Sequence, residues 1–565
     1  MAEMLNESDQ AATKTPEPPI SAWAPFRHQA FLVIWIATVV SNTGSWMYNA
    51  ASGWLMLNLA PDPLIVSLVQ VAASLPMFLL ALPAGALADL ADRRRLLLAI
   101  EIATTLVAAA FAAFVSLHLV TPVILLLFAL LIGICGVLST PSWQAVVPQL
   151  VPKAVLPPAV SANSVGFNVS RAIGPALGGL IIGGFGIAAP FWLNVISNLG
   201  VIAALIWWHP PTRSSRHLPA ERFWNAMVSG VRYSRHNPHL TATMIRSIGF
   251  FVFTMAYWAL LPLVAKDRIN GGAALYGIML GAIGAGAVAG AFLLPMLKAR
   301  LGADWLVAVA TGGTAVALAL FGIAHDSAIG IAACLVAGVS WIGILATLNV
   351  SAQVALPEWV RGRGLAVYMT ISFGAMTLGS ILWGKVAGLV GVPDALFLAA
   401  AGALVAAPLT WRWKLQTGAG LDLSPSMHWT PPISSRAFDD DRGPVMVTVE
   451  YRVNPAQRAD FLAALEKLSH ERRRDGAYAW GIFEDAADDT RLIETFLVDS
   501  WIEHLRQHER VTNADRVMQD AVTQFQVQGV PQVTHFIAAD LAVSPADPPA
   551  TAERPKSLGL GSDRG

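Results

Sequence analysis

The sequence has little charge for its length and almost no cysteine. Only 13% of its 565 residues are Asp, Glu, Lys or Arg, whereas soluble domains carry roughly 25%. Its 37 basic and 37 acidic residues balance, which argues against the basic surface of a nucleic-acid-binding protein. Cys135 and Cys334 both fall inside apolar runs, so neither a disulfide framework nor a cysteine metal site is indicated.

What the chain has instead is a series of long apolar runs between residues 30 and 413. A helix that crosses a bilayer needs about 20 mostly apolar residues. These runs are too long for the strands of a closed barrel and lack their alternation. The fold class predicted is therefore an all-α membrane protein with twelve transmembrane helices in two six-helix halves. The predicted spans are 30–58, 64–87, 96–118, 122–147, 159–184, 188–208, 240–265, 273–297, 305–324, 327–350, 364–390 and 393–413.

The basic residues of the connecting loops predict the orientation. Lysines and arginines cluster in alternate loops, as in Arg93–Arg95 and at Arg361 and Arg363, whereas the opposite loops hold only Lys266 and Arg268. Loops rich in Lys and Arg stay in the cytoplasm. We therefore expect both termini to be cytoplasmic, in a multi-pass protein of a bacterial inner membrane.

Composition divides the rest of the chain. The predicted regions are an N-terminal tail (1–27), a first half (28–208), a cytoplasmic loop (209–239), a second half (240–413), a linker (414–444), a cytoplasmic α+β domain (445–540) and a disordered tail (541–565). The loop carries Phe223, Met227 and Val231 at helical spacing, with Trp224 and Val228 beside them. This pattern predicts an amphipathic helix, which either lies on the inner membrane surface or packs against the ends of the spans.

Strand and helix patterns in the C-terminal domain predict a β-α-β-β-α-β order, the ferredoxin-like arrangement. The predicted strands are 445–453, 477–484, 490–498 and 532–538, and the predicted helices are 455–474 and 500–525. His504 and His508 are one helical turn apart. They lack an accompanying HExxH or cysteine motif, so we interpret them as part of a solvated helix face rather than a metal pair. We expect no metal and no cofactor.

The loop after the second predicted span reads G-A-L-A-D-L-A-D-R-R-R at residues 85–95. Gly85 permits close helix approach, Asp89 is an acid at a helix end, and Arg93 and Arg94 are basic partners. Such a set can act as a conformational latch, or the arginines can be a topology signal alone. The loop resembles the signature loop of the major facilitator superfamily, although Leu90 and Asp92 depart from that pattern.

The fifth predicted span contains G-P-A-L-G-G, residues 174–179. Proline and glycine in one helix permit a kink and close helix contact. Gly174, Pro175, Gly178 and Gly179 match the exporter-associated motif of the same superfamily. Together with S-T-P-S-W-Q-A-V-V-P-Q-L-V-P at 139–152 and P-E-W-V-R-G-R at 357–363, they resemble the transmembrane secretion effector branch, which contains siderophore (enterobactin-type) and macrolide-type exporters.

The resemblance implies a secondary active transporter and not an enzyme. It would export a small amphipathic molecule, drug-like or siderophore-like, by alternating access, with protons as the coupling ion. The C-terminal domain resembles the antibiotic-biosynthesis-monooxygenase-like α+β family, whose members usually dimerise. A homodimer through this domain is therefore expected. Import, an enzymatic tail and a ligand-sensing tail stay open as alternatives. The chain has no G-x-x-x-x-G-K-[ST] loop, which argues against direct drive by ATP.

Charged and polar residues inside the spans are the candidates for the substrate and proton pathway, because charge is expensive in a membrane. Arg171 lies near the middle of the fifth span and suits an anionic substrate, an acidic partner or a structural tie. Glu101 is a candidate proton carrier, with Arg246 as its partner or as a surface anchor. The neutral candidates for a cavity lining are Asn42, Gln144, Asn168, Asn349 and Gln353.

Overall fold

A computed structural model describes residues 21–90, 92–209, 223–418, 422–426, 429 and 442–539. The chain divides into two compact units, one ending at Ser424 and the other beginning at Pro425. The described residues do not include residues 1–20, most of the linker or the tail after residue 539. The expectation of a disordered tail at 541–565 therefore lies outside the described residues.

The first unit is helical, and some of its helices begin at a side chain that caps them. Thr121 accepts a hydrogen bond from the amide of Ile124, directly ahead of Pro122 in the first helical turn, and Asp326 caps its helix in the same way. The helices are α1 Gln29–Leu59, α2 Pro63–Leu90, α3 Arg93–Ser116, α4 Pro122–Leu150, α5 Leu156–Phe185, α6 Ala189–Trp207, α7 Phe223–His236, α8 Pro238–Leu263, α9 Ala273–Ile323, α10 Ser327–Val354, α11 Arg361–Val390 and α12 Val392–Leu409.

Within the described residues, eleven helices are long and apolar enough to cross a membrane, where the sequence predicted twelve. The difference is α9, a helix of 51 residues that contains both predicted spans 273–297 and 305–324. Gly302 interrupts it with a φ of 71° and a ψ of 172°, a conformation open to glycine because it has no Cβ. The non-helical backbone of Gly302 divides α9 into two helical arms, and each arm holds one of the two expected spans.

The predicted amphipathic helix exists as α7, and its two faces differ. Tyr233 is buried and packs edge-on against Trp359, with ring centroids 5.5 Å apart. The guanidinium of Arg363 donates to the Ser229 hydroxyl over 3.2 Å. Val228 and Val231 are exposed. One face of α7 therefore packs against residues at the start of α11, while an apolar strip of its surface is left uncovered.

The second unit is a four-stranded antiparallel sheet with helices. Its elements are β1 Val445–Arg452, α13 Arg458–Arg474, β2 Ala479–Glu484, β3 Arg491–Val498, α14 Trp501–Arg510, α15 Asn513–Thr523 and β4 Gln532–Ile537, in the sheet order β2-β3-β1-β4. Alternate residues of β1 are buried and pack with Phe461 and Leu465 of α13, as a half-buried strand requires.

The single helix predicted at 500–525 is wrong, because two helices occupy that segment. Val511 is extended, and Thr512 starts α15 with a capping box in which Thr512 and Asp515 bond each other's backbone amides. A Thr followed by an acid three residues later indicates the start of a new helix. The helical periodicity of the whole segment hid this signal in the sequence.

Candidate functional site between two helical groups

For description we divide the helices of the first unit by chain order into a first group, α1–α6, and a second group, α8–α12. A shared core draws residues from both groups, with Tyr48, Trp54 and Phe191 from the first and Tyr257 and Tyr276 from the second. The rings of Trp54 and Tyr276 lie 5.9 Å apart across the boundary. This shared core lies where α1 ends and α9 begins.

At the other end of the helices each group has its own core. One cluster contains Phe31, Leu97 and Leu205 with other residues of the first group only. Another contains Leu240, Val307 and other residues of α7 to α11 and the segment that follows α12. The two groups are thus packed together at one end and packed separately at the other, which is the end that carries Arg94.

The glycines of the fifth-span motif lie at contacts between helices. A Cβ at Gly179 would be 2.5 Å from the carbonyl oxygen of Ala273 and 2.9 Å from the Cα of Gly277, both in α9. A Cβ at Gly174 would be 2.6 Å from the Cβ of Trp46 in α1. Gly178 approaches α1 in the same way, at Met47, and a Cβ at Gly277 would be 2.6 Å from the carbonyl oxygen of Pro175. The motif therefore joins α5 to helices of both groups.

Arg171 lies halfway along α5, among tryptophans from both groups. Its guanidinium carbon is 5.7 Å from the ring of Trp46 in α1, 5.8 Å from that of Trp258 in α8 and 5.4 Å from that of Trp341 in α10. We call these four residues the arginine cage. Arg171 is 7% exposed, and among the described residues its Nε has no hydrogen-bond partner, nor has the indole Nε1 of Trp341. The cage offers a positive charge and free donors but no acid.

Arg246 in α8 has the partners that Arg171 lacks. It donates to Asp304 over 2.8 Å and to the Trp413 carbonyl over 3.0 Å, and it lies over the ring of Trp411. The suggested pairing with Glu101 is wrong, since Asp304 in the second arm of α9 is the partner. Asp304 was missed because it precedes the predicted span at 305.

Glu101 in α3 is half-buried and accepts a hydrogen bond from the indole Nε1 of Trp143, 3.1 Å away in α4. Within the described part of the chain no cation pairs with it. A carboxyl held by a neutral donor can be charged or protonated without breaking an ion pair.

The residues of the predicted latch are only partly visible. Gly85 and Asp89 lie in the last turns of α2 and Arg93 begins α3, but their side chains lie outside the described part of the structure. Arg94 donates to the carbonyl oxygens of Leu205 and Ile206 over 2.8 and 2.6 Å. It thus caps the C-terminal end of α6, where a cation is favoured.

The neutral candidates share no single arrangement. The Asn168 amide bonds the Ser164 carbonyl of its own helix. Gln144 and Gln353 are exposed, whereas Asn42 and Asn349 are half-buried. A role for these five residues in a cavity stays a prediction.

The second unit buries several charged and titratable groups. Glu494 is fully buried and accepts hydrogen bonds from Arg472, Trp480 and Tyr451. Burial raises the pKa of Glu471 to about 8, against the opposing pull of Arg474. Burial also lowers the pKa of His504 to about 3. The expected solvated face is therefore wrong for His504, which is 1% exposed.

His504 and His508 are joined by His535, which the sequence did not single out because it comes from β4, far along the chain. One ring nitrogen of each of the three lies within 4.8 Å of the others. Trp258 was missed for the same reason, since its part in the arginine cage depends on packing between distant helices.

Two groups of apolar helices are packed together at one end, and between them lies a charge with no acidic partner among the described residues. These features define a multi-pass membrane transporter of the major facilitator type. The chain belongs to the transmembrane secretion effector family, which matches residues 20–542.

Similar proteins agree with this assignment. The chain is 24% identical over 363 residues to the staphyloferrin A transporter of Staphylococcus aureus, covering 62% of this chain and 87% of that one. It is 26% identical over 379 residues to the multidrug efflux pump Tap of Mycolicibacterium fortuitum, covering 65% and 91%. In fold it resembles the inward-facing, unoccupied bacterial homologue of the lysosomal transporter Spinster, with a TM-score of 0.53 at 12% identity over 69% of this chain and 97% of that one.

Proposed function

We propose that this protein exports a small amphipathic molecule with an anionic group across a bacterial inner membrane, in exchange for protons. The arginine cage is the observation that carries the proposal. A buried guanidinium without an acid is costly, and an anionic ligand that accepts from it removes that cost. The tryptophan rings around it suit an apolar or aromatic body. Relatives named as a staphyloferrin A transporter and as a multidrug efflux pump support a small-molecule substrate.

Alternating access is proposed because the two helical groups share a core at one end and have separate cores at the other. We propose that α1–α6 and α8–α12 are the two six-helix halves, with each arm of α9 as a separate crossing, which makes twelve. The arginine-rich end is cytoplasmic by the distribution of basic residues. The conformation with separate cores at that end is then inward-facing. Substrate would reach the arginine cage from the cytoplasm, and closure of the cytoplasmic end would accompany parting of the shared core.

Glu101 is the proposed proton carrier. Its carboxyl has a neutral hydrogen-bond donor and no cation, so protonation can remove its charge when the surroundings become less polar. The signature loop with Gly85, Asp89 and Arg93 is proposed as the latch of the cytoplasmic end, next to Arg94.

The test is transport into inverted membrane vesicles with an imposed pH gradient. Matched pairs of fluorescent compounds, each a carboxylic acid and its neutral amide, are the substrates. We expect gradient-dependent accumulation of acids over amides, lost in Glu101→Gln and retained in the control Asp394→Asn, whose carboxyl is exposed at the start of α12. Accumulation unchanged by collapse of the gradient would refute proton coupling, and equal transport of acids and amides would refute the anionic preference.

For the C-terminal unit we propose a ferredoxin-like fold with a regulatory or assembly role. Its β-α-β-β-α-α-β order and sheet order support the fold. Met446 and Phe536, paired across β1 and β4, are exposed on the sheet, which supports pairing with a second copy. Light scattering of the detergent-solubilised chain tests this, and a monomeric mass across the accessible concentrations would contradict it.

A further inference from the structure

The three histidines of the second unit have an arrangement that transport does not use. His504 and His508 lie one turn apart on α14, and His535 faces them from β4, which pairs with β1 opposite Val447. The ring centroid of His504 is 4.9 Å from that of His508 and 4.6 Å from that of His535. We call this set the histidine cluster.

Hydrogen bonds fix how His504 is presented. The amide nitrogen of Gln507 donates to the Asp475 carbonyl over 3.0 Å, so the amide oxygen of Gln507 must face His504. That oxygen is 3.2 Å from His504 Nδ1, which is therefore the protonated nitrogen. The lone pair of His504 is left on Nε2. Metal-binding histidines are commonly held in this way, with the second nitrogen donating to an oxygen.

The lone pair on His504 Nε2 accepts a hydrogen bond from Nε2 of His508, whose proton a bound metal ion would displace. His504 Nε2 and His508 Nε2 are 3.3 Å apart. Two nitrogens bound to one tetrahedral zinc ion at about 2.0–2.1 Å are separated by about 3.3–3.4 Å. The third histidine offers a nitrogen within 4.8 Å of both, a distance that a small rotation of the imidazole ring shortens.

The surroundings suit a neutral three-histidine site. Trp501 packs against His504 and His535, and Trp429 against His508, which shields the cluster on two sides. Arg472, whose charge acts on His504, is already held by Glu494 at 3.2 Å. His508 and His535 are half-buried, so an ion can reach them.

We propose that His504, His508 and His535 bind one divalent transition-metal ion, with zinc as the expected occupant. Three imidazoles without thiolate or carboxylate favour zinc and its neighbours over magnesium or calcium. Three protein ligands leave the fourth tetrahedral position to water or to a ligand atom. A bound ion would tie α14 to the edge strand β4.

The test uses the full chain in detergent, made without a polyhistidine tag and freed of metal with a chelator. Zinc chloride is titrated by calorimetry into wild type, His508→Gln and His535→Gln. The matched control is His470→Gln, because His470 is an exposed histidine of the same unit. We expect one zinc per chain in the wild type and the control, and affinity at least about tenfold weaker in each variant, since each lacks one ligand.

Cobalt(II) provides a second measurement, because four-coordinate cobalt absorbs visible light far more strongly than the six-coordinate aqueous ion. We expect an intense visible band in wild type that both variants lose. Hydrogen exchange of β1 and β3 checks that each variant is folded, and the two variants alter different elements. No saturable zinc binding by wild type, or wild-type affinity in a folded variant, would overturn the proposal.

Discussion

Arg171 and Arg246 are both buried in apolar helices, yet their surroundings differ. Arg246 lies within the second helical group and meets an acid, a carbonyl and an aromatic ring. Arg171 lies between the two groups and meets three tryptophans. A charge with its partners in place holds a structure together, whereas a charge that lacks an acid is available to a ligand. Burial alone, which the two share, does not separate these roles.

The largest effect is expected at the paired arginine. Arg246→Ala leaves Asp304 without its cation and lowers the free energy of unfolding by about 2–3 kcal/mol, less than the roughly 3–5 kcal/mol of a fully buried pair because the Asp304 side chain is 25% exposed. Unfolding of the detergent-solubilised chain measures this. Arg300→Ala, at an exposed residue of α9, should change little.

A double variant sharpens the Arg246 result. Replacing both partners, as in Arg246→Leu with Asp304→Leu, removes both charges and should recover much of the lost stability. If Arg246→Ala instead abolished transport at unchanged stability, Arg246 would not be the structural residue that its partners indicate, and its contrast with Arg171 would fail.

The unpaired arginine should respond in the opposite way. Arg171→Gln removes charge-assisted hydrogen bonds worth about 1.5–3 kcal/mol, so binding of an anionic compound should weaken by about 10- to 100-fold. Stability should be unchanged or higher, because a buried charge without an acid is removed. Equilibrium binding of a matched acid and amide measures the effect, and only the acid should lose affinity. Loss of stability without loss of affinity would make Arg171 a structural residue.

The smallest effect is expected when one tryptophan of the arginine cage is replaced. Trp341→Phe keeps an aromatic ring near Arg171 but removes the unpaired indole donor and weakens the cation–π contact by about 0.5–1 kcal/mol, which is a loss of about two- to fivefold in affinity. Trp383→Phe is the matched control, because the Trp383 indole donates to the Val252 carbonyl and lies away from the cage. An equal loss of affinity in both variants would indicate general loosening rather than a site.

The apolar runs predicted the helices well, because the length and composition of a span are local properties. They could not predict that the break between the spans ending at 297 and beginning at 305 is confined to Gly302, since that depends on one glycine adopting a positive φ. Arg171 was singled out from its depth in a span alone. Its three tryptophans come from three other helices, and their convergence is a property of packing that no spacing in the sequence records.

The same limit applies to the second unit. The alternating pattern of β1 located the sheet, and the helical spacing of His504 and His508 was visible in the sequence. Their burial was not, because it follows from how α14 packs on the sheet. His535 lies 27 residues beyond His508, and only the pairing of β4 with β1 brings it to the same place.

The contact of Gly179 with Gly277 bears on the speed of the proposed cycle. Backbone meets backbone there, with no side chains interlocked, so a change of angle between α5 and α9 requires no rotamer to change at that point. The activation barrier would then arise where large rings must separate, as at Trp54 and Tyr276 in the shared core. The turnover rate would be governed by the end of the molecule that holds the shared core.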